Sequence, residues 1–272
     1  MTTIDSGTEA YASVDGLSVA RAGGVLSLTM NRPESLNSLT EVMLAGITDA
    51  LEKASTDPQV KVVRLAGAGR AFSSGAGIRA QDQTRKADGK LTGVLDEANR
   101  AVRSIVALPR PVVAVVHGPA AGVAASLALA SDVVLASEEA YFLLAFTKIG
   151  LMPDGGASAL VAAAVGRIRA MRMALLAERI SAAEAVQWGL ATAAFPKEVF
   201  DAEVDRIIAA LLDGPAVALR KTKAAINAAT LSELEPALER ERTGQLELLK
   251  GRDFLEGALA FQQRREAKFT DS

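Results

Sequence analysis

The chain of 272 residues has no cysteine and one histidine, His117. These absences exclude disulfides, thiolate zinc sites, cysteine nucleophiles and multi-histidine metal centres. An excess of one charge is also missing. Lys+Arg 30 against Asp+Glu 32 leaves a formal net charge of -2, which argues against a general nucleic-acid binder. The opening "MTTIDSGTEAYASVDG" lacks both a basic segment and an apolar stretch, so it is no secretory signal, and residues 1–12 read as a loose tail. A long apolar run is absent as well. Pro111 to Ser137 carries only the charge of Asp132, yet His117, Gly118, Pro119, Gly122, Ser126 and Ser131 interrupt it. A buried strand–turn–helix–strand fits that segment better than a membrane span. The lack of cysteine suits a reducing compartment, and a cytoplasmic location is expected.

What is present is a core. Half of the residues are hydrophobic, and the length suffices to bury them in one large domain or a domain with an appendage. "LSVARAGGVLSLTMNR" predicts a β-hairpin turning at Gly23-Gly24. Thr40 caps a helix whose Met43, Leu44, Ile47, Ala50, Leu51 and Ala54 recur at helical spacing, until Asp57-Pro58 stops it. "VKVVRLAG", "VVAVVHG" and "DVVLAS" read as parallel-type strands alternating with helices, which argues for an α/β fold. From about residue 195 the chain becomes a series of helices, so the expected division is an α/β core over 1–194 and a helical region over 195–272. Leu234, Leu238, Leu246 and Leu249 there would face a partner surface, on this chain or on a neighbouring subunit.

Two small-residue stretches invite a ligand. "GAGRAFSSGAG" follows a strand but lacks the Gly-Lys-Ser/Thr ending of a P-loop and does not complete a dinucleotide fingerprint. Its small residues from Ser73 to Gly77 let a ligand approach backbone N–H groups, although an ordinary tight turn explains the loop equally well. "HGPAAGVAASLAL" joins a strand to a helix, where backbone donors face either a ligand oxygen or close helix–sheet packing. A third segment, "IGLMPDGGASAL", sets Asp154 between an apolar run and a helix start. Two readings are open there: a helix N-cap, or a general base beside an apolar pocket.

With "MNRPESLNSLT", "GRAFSSGAGI", "VVHGPAAGVAASLALASD", "FTKIGLMPDGG", "LLAERISAAEAVQWGLA" and "EGALAFQQRREAKF" in this order, the chain resembles the crotonase (enoyl-CoA hydratase/isomerase) superfamily over nearly its whole length. The resemblance implies a spiral of ββα units forming two sheets, followed by a helical trimerisation region, with trimers often pairing into hexamers. It also implies an acyl-CoA substrate, with coenzyme A entering only as part of the thioester and no further cofactor. Ala76 and Val123 would donate backbone N–H groups to the thioester oxygen. Ser35, Leu36, Ser38, Ser74, Gly77 and Ile78 would line the CoA site, with Phe261 and Lys268 approaching from the C-terminal helix, on this subunit or another.

The departures from the family pattern shape the expected reaction. Ser126 and Phe146 stand where hydratases of the family carry their two glutamates, and neither is a general base. Val123 replaces a common glycine and narrows the acyl pocket, and Gly77 replaces a frequent aspartate. Asp154 stands where some isomerases of the family carry an aspartate. The favoured expectation is isomerisation of an enoyl-CoA with Asp154 as base; hydration at a non-standard site and acyl-CoA binding without chemistry are the alternatives. The remaining polar residues read as structural. His117 packs or hydrogen-bonds at a strand end, Asp132 anchors a turn, Glu138 and Glu139 form an exposed turn pair, and Trp188 belongs to the core. The charges of "RERTGQLELLKGRD" form a solvated helix face, and Ser73 and Ser74 lack a Ser–His relay.

Overall fold

The computed structural model describes residues 11–77 and 93–270. Ile78 lies outside the described residues. The hairpin forms where the glycines predict it. Gly23 and Gly24 take φ of 56° and 85°, and a two-residue turn with both central residues left-handed matches the twist of the strands it joins. It links β1 (Leu17–Ala22) to β2 (Val25–Met30) as an antiparallel pair. β3 (Val62–Gly67), β4 (Val112–Val116), β6 (Val133–Ser137) and β9 (Ala193–Phe195) then extend the sheet in parallel, giving the order β1-β2-β3-β4-β6-β9. Every residue of β4 is buried, as expected of a parallel strand covered on both faces.

A second sheet holds β5 (Pro119–Ala121), β7 (Tyr141–Leu143) and β8 (Ile180–Ser181) in the order β5-β7-β8. The chain steps from β4 of the large sheet to β5 of the small one, then enters helix α3 (Val123–Ala130). It repeats the step from β6 to β7, then reaches α4 (Ala157–Leu176) through a short 3-10 helix, Phe146–Ile149. The loop after β3 makes a partial version of the same turn, because Ser73 bridges Ala120 and Leu39 bridges Ala76. The expected α/β spiral of ββα units is the fold observed.

The helices follow their apolar spacing. In α1 (Glu41–Thr56) Thr40 Oγ1 accepts the Met43 N–H at 3.2 Å, and all six expected apolar positions are buried. Tyr11 is also buried, and its hydroxyl donates to Asp57 Oδ2 at the end of that helix (2.9 Å). The main core joins β1 and β2 to α1, α2 (Gly93–Ala107) and α3. A smaller core covers the opposite face, where Val62, Val113, Val115 and Leu135 meet Phe200, Val204 and Ile208 of α6 (Lys197–Asp213). A short helix, α5 (Ala182–Trp188), carries buried Trp188. No helix among the described residues is long and apolar enough to cross a membrane.

Three more helices complete the chain: α7 (Ala216–Thr230), α8 (Leu234–Leu248) and α9 (Arg252–Gln263). Leu234 and Leu238 of α8 enter the main core of their own chain, whereas Leu246 and Leu249 are half-buried. The solvated face expected of the charges in "RERTGQLELLKGRD" is corrected at Glu241, and the uncharged Gln245 is buried with it. Glu241 is 1% and Gln245 2% exposed, because they continue the inward stripe of Leu234 and Leu238 at helical spacing. In contrast, α7 buries no residue completely. Its tether is polar: Lys223 Nζ donates to Ile105 O (2.8 Å), Arg110 O (3.2 Å) and Asp132 Oδ2 (2.8 Å).

Candidate active site

Two backbones meet at the centre of the spiral, each led by a left-handed glycine. Gly75 has φ 86° and Gly122 φ 56°. A Cβ on Gly75 would lie 2.6 Å from Ala121 O, so only glycine permits this approach. Leu39 N–H donates to Gly75 O (2.8 Å), and Gly77 N–H donates to Leu39 O (3.2 Å). The parallel bridge therefore brackets Ala76 and turns the Ala76 N–H away from Leu39. On the other backbone, Gly122 N–H donates to Leu143 O (2.8 Å), and Val123 opens α3. As the first helical residue, Val123 has no acceptor four residues earlier within its helix. Among the described residues no acceptor takes either the Ala76 or the Val123 N–H. Two free donors thus follow directly on two glycines whose backbones touch.

A corner of the early loop braces this junction. Leu36 and Asn37 take φ of 55° and 56°, a left-handed pair that costs roughly 1–2 kcal/mol per residue when glycine is absent. Asn37 offsets that cost with its side chain. Its Nδ2 donates to Ala68 O and Ala71 O, both at 2.8 Å, and its Oδ1 accepts the Arg32 N–H at 2.9 Å. Ser73 Oγ donates to Asn37 O (2.7 Å). Ser74 N–H donates to Leu36 O (2.9 Å) and Ser74 Oγ to Ser35 O (3.1 Å). Ser38 Oγ donates to Ser35 Oγ (2.9 Å). Ser35, Leu36, Ser38 and Ser74 are thus brought together, with Asn37 as their anchor. The sequence reading missed Asn37, although asparagine is the usual non-glycine residue at left-handed positions.

The third wall runs from Phe146 to Gly156. Phe146 is buried, and its ring tip lies close to Gly122, about where a Cβ there would make ordinary contact (3.8 Å). A Cβ on Gly155 would meet Val123 Cγ2 at 2.9 Å and Ser126 Cβ at 3.1 Å, so the wall presses directly on α3. Ser126 Oγ donates to the Asp154 carbonyl (2.8 Å) and pins the backbone there.

The two readings of Asp154 separate at this point. The N-terminal donors of α4 are taken by α8: Gly156 N–H donates to Glu241 Oε2 (2.6 Å) and Ser158 N–H to Glu241 Oε1 (2.8 Å). The side-chain cap is Glu241, and the Asp154 carboxylate is released from that role. One of its oxygens, Oδ2, accepts from Gln245 Nε2 at 2.8 Å. The other, Oδ1, is buried and has no hydrogen-bond partner among the described residues, although the residue as a whole keeps some exposure. Burial pushes the carboxyl up to about 7, with the Gln245 hydrogen bond opposing and the Glu241 charge adding to the rise. The helix N-terminus would ordinarily favour the carboxylate, but its donors are occupied by Glu241. Burial also raises Glu241, against the three hydrogen-bond effects of Ser158 and Gly156.

The other candidates fall outside this cluster. Phe261 is 63% exposed and Lys268 is exposed, its N–H donating to Glu256 Oε1 (2.8 Å). Neither hydrogen-bonds to the other site residues among those described. His117 Nε2 contacts Gly69 O at 2.9 Å, and Asp132 Oδ2 accepts the Val112 N–H at 2.7 Å, both structural as expected. No group of His, Asp or Glu among the described residues forms a metal site.

Comparison with known proteins identifies the family. The family model for enoyl-CoA hydratase/isomerase matches residues 20–272. The 1,2-epoxyphenylacetyl-CoA isomerase of Escherichia coli is 37% identical over 249 residues, covering 91% of this chain and 95% of that protein. The 2,3-dehydroadipyl-CoA hydratase of the same species is 32% identical over 254 residues, covering 93% and 98%. A crystal structure of an enoyl-CoA hydratase from Mycobacterium avium subsp. paratuberculosis superposes with a TM-score of 0.88 at 66% identity, covering 94% of this chain and 99% of that one. With a family match over most of its length and a shared fold, the chain belongs to the enoyl-CoA hydratase/isomerase family of crotonase-superfamily enzymes.

Proposed function

We propose that this enzyme moves the double bond of an enoyl-CoA, with Asp154 as the base. The observation that carries the reading is the Asp154 carboxylate: one oxygen is buried and has no partner among the described residues, and the capping task belongs to Glu241. In the proposed step the C2–H bond of a 3-enoyl thioester breaks, and its proton passes to Asp154. The electron pair spreads into a dienolate whose oxygen lies between the Ala76 and Val123 N–H groups, donors that need not reorganise as charge develops. Asp154 then returns the proton to C4, leaving the double bond between C2 and C3. No water, metal or redox partner enters the balance. Ser35, Leu36, Ser38, Ser74 and Gly77 line the CoA site in this reading, and Phe261 and Lys268 reach it from a neighbouring subunit.

Hydration is the second reading, favoured by relatives that bear hydratase names. Against it stand the two positions where such enzymes hold their glutamates. The Ser126 hydroxyl is engaged with the Asp154 carbonyl, and Phe146 is a buried ring. A panel of 2-enoyl-, 3-enoyl- and dienoyl-CoA thioesters, followed by absorbance and mass, separates the two, because hydration adds one water and isomerisation adds nothing. For isomerisation, Asp154→Asn should lower turnover roughly a hundredfold or more, the scale of a lost general base. Unchanged turnover of a substrate that the wild type isomerises would remove Asp154 from the mechanism.

A further inference from the structure

We propose that Gln245 is a positioning residue that confines the proton carried by Asp154 to a single oxygen, Oδ1. The inference rests on the reading of Asp154 as base and deepens it. The Gln245 amide is held at three points. Its Oε1 accepts the Met152 N–H (3.2 Å), and its Nε2 donates to Met152 O (3.0 Å) and to Asp154 Oδ2 (2.8 Å). Met152 fixes the amide's orientation, since a flipped amide would set oxygen against two acceptors and nitrogen against a donor. Both Nε2 hydrogens are then committed, and an amide nitrogen accepts nothing. A proton on Oδ2 would weaken the Gln245 hydrogen bond, because an acid's hydroxyl oxygen accepts less well than its carbonyl oxygen. The neutral acid therefore carries its proton on Oδ1, the buried oxygen that no described group engages. The same atom collects the proton from the substrate and returns it, with no rotation of the carboxyl between the two transfers.

The surroundings make Gln245 the main brake on protonation. Burial raises the Asp154 pKa most, the Gln245 hydrogen bond lowers it, and the charge of Glu241 raises it. From α3 the Ser126 hydroxyl goes to the Asp154 carbonyl rather than the carboxylate, and at the start of α4 the Gly156 and Ser158 N–H groups are held by Glu241. Gly244 leaves room for the Met152 side chain beside α8, since a Cβ there would strike Met152 Sδ.

The test compares wild type with Gln245→Met, Glu241→Gln and Asp154→Asn, using 3-hexenoyl-CoA across pH 5 to 9. Gln245→Met removes the donor to Oδ2, so the acid limb of kcat/KM should move to higher pH by about a unit, with kcat falling about tenfold and KM changing little. Glu241→Gln removes the repelling charge and frees α4 donors, so its limb should move to lower pH. A purely structural role for Gln245 would scale the whole profile and leave the limb in place. Loss of turnover in Asp154→Asn with an unmoved limb in Gln245→Met overturns the positioning role and spares the base. Full turnover in Asp154→Asn overturns the base itself. The positioning role is then decided by 13C NMR titration of the aspartates, the Asp154 signal being the one missing in Asp154→Asn. An unchanged titration in Gln245→Met ends the proposal. Should Gln245→Met fail to fold, isosteric Gln245→Glu replaces it; its acid limb should also rise, and an unmoved limb counts against the assignment.

Discussion

At the scale of one residue, the burial that raises the Asp154 carboxyl also costs the folded state stability. Unfolded, the carboxyl titrates near its ordinary value of 3.8; folded, it titrates near 7. Below the lower value both states hold the proton, and the site adds nothing. Between the two values unfolding releases a proton, so stability falls as pH rises. Above about 7 the loss is complete, on the order of a few kcal/mol. Asp154→Asn should therefore raise the melting temperature at pH 8 and leave it nearly unchanged at pH 4. Equal effects at both pH values would mean that the carboxyl is not perturbed in the folded chain. The same titration sets the activity profile: kcat/KM should drop about tenfold for each pH unit below 7, as the base fills with protons. The residues around Asp154 left cap and base open, and the family resemblance favoured the base. The deciding residue, Glu241, bonds to Gly156 across 85 positions of chain, beyond the reach of any local pattern.

At the scale of elements, local periodicity carried well. The Gly23-Gly24 hairpin, the buried stripe of α1 and the parallel strands were legible because each encodes its own spacing over several residues. The small sheet was not, since β5 and β7 have three residues each and β8 has two, too few to show alternation. The inner face of α8 was misread because Glu241 and Gln245 are polar, yet they occupy the stripe begun by Leu234 and Leu238. Two predictions belong at this scale. Ala76→Pro removes one N–H from the junction of Gly75 and Gly122 and should cost turnover about a hundredfold, the scale of one lost oxyanion donor. Near-normal turnover in the folded variant would dismiss Ala76 as a donor. Lys223→Met leaves Asp132 without its cation, where burial already raises the carboxyl and lowers the ammonium. With the Lys223 and Asp132 side chains 8% and 20% exposed, denaturant unfolding should show a loss of about 1.5–3 kcal/mol, the scale of a hydrogen bond to a charged group. A loss within a few tenths would mean that the pair is solvated.

At the scale of the molecule, one chain leaves apolar surface open. Past Gly166, whose φ of 75° and ψ of 164° break α4, Ile168, Met171, Leu175 and Leu176 are exposed. Leu255, Leu259 and Phe261 are exposed along α9. These faces support the proposal that the enzyme works as a trimer or hexamer, with the helices after residue 195 between subunits. Sedimentation should give a mass that is a multiple of three chains, and a monomer at every concentration would contradict the proposal. The remote cap of α4 has a consequence in the order of synthesis. Asp154, Gly156 and Ser158 leave the ribosome well before Glu241 and Gln245, which follow by 83 to 91 positions. At common elongation rates that delay is on the order of ten seconds. Through that interval the first turn of α4 is without its Glu241 cap and Asp154 without its amide partner, so on the proposed reading a nascent chain carries a base that is still unaimed.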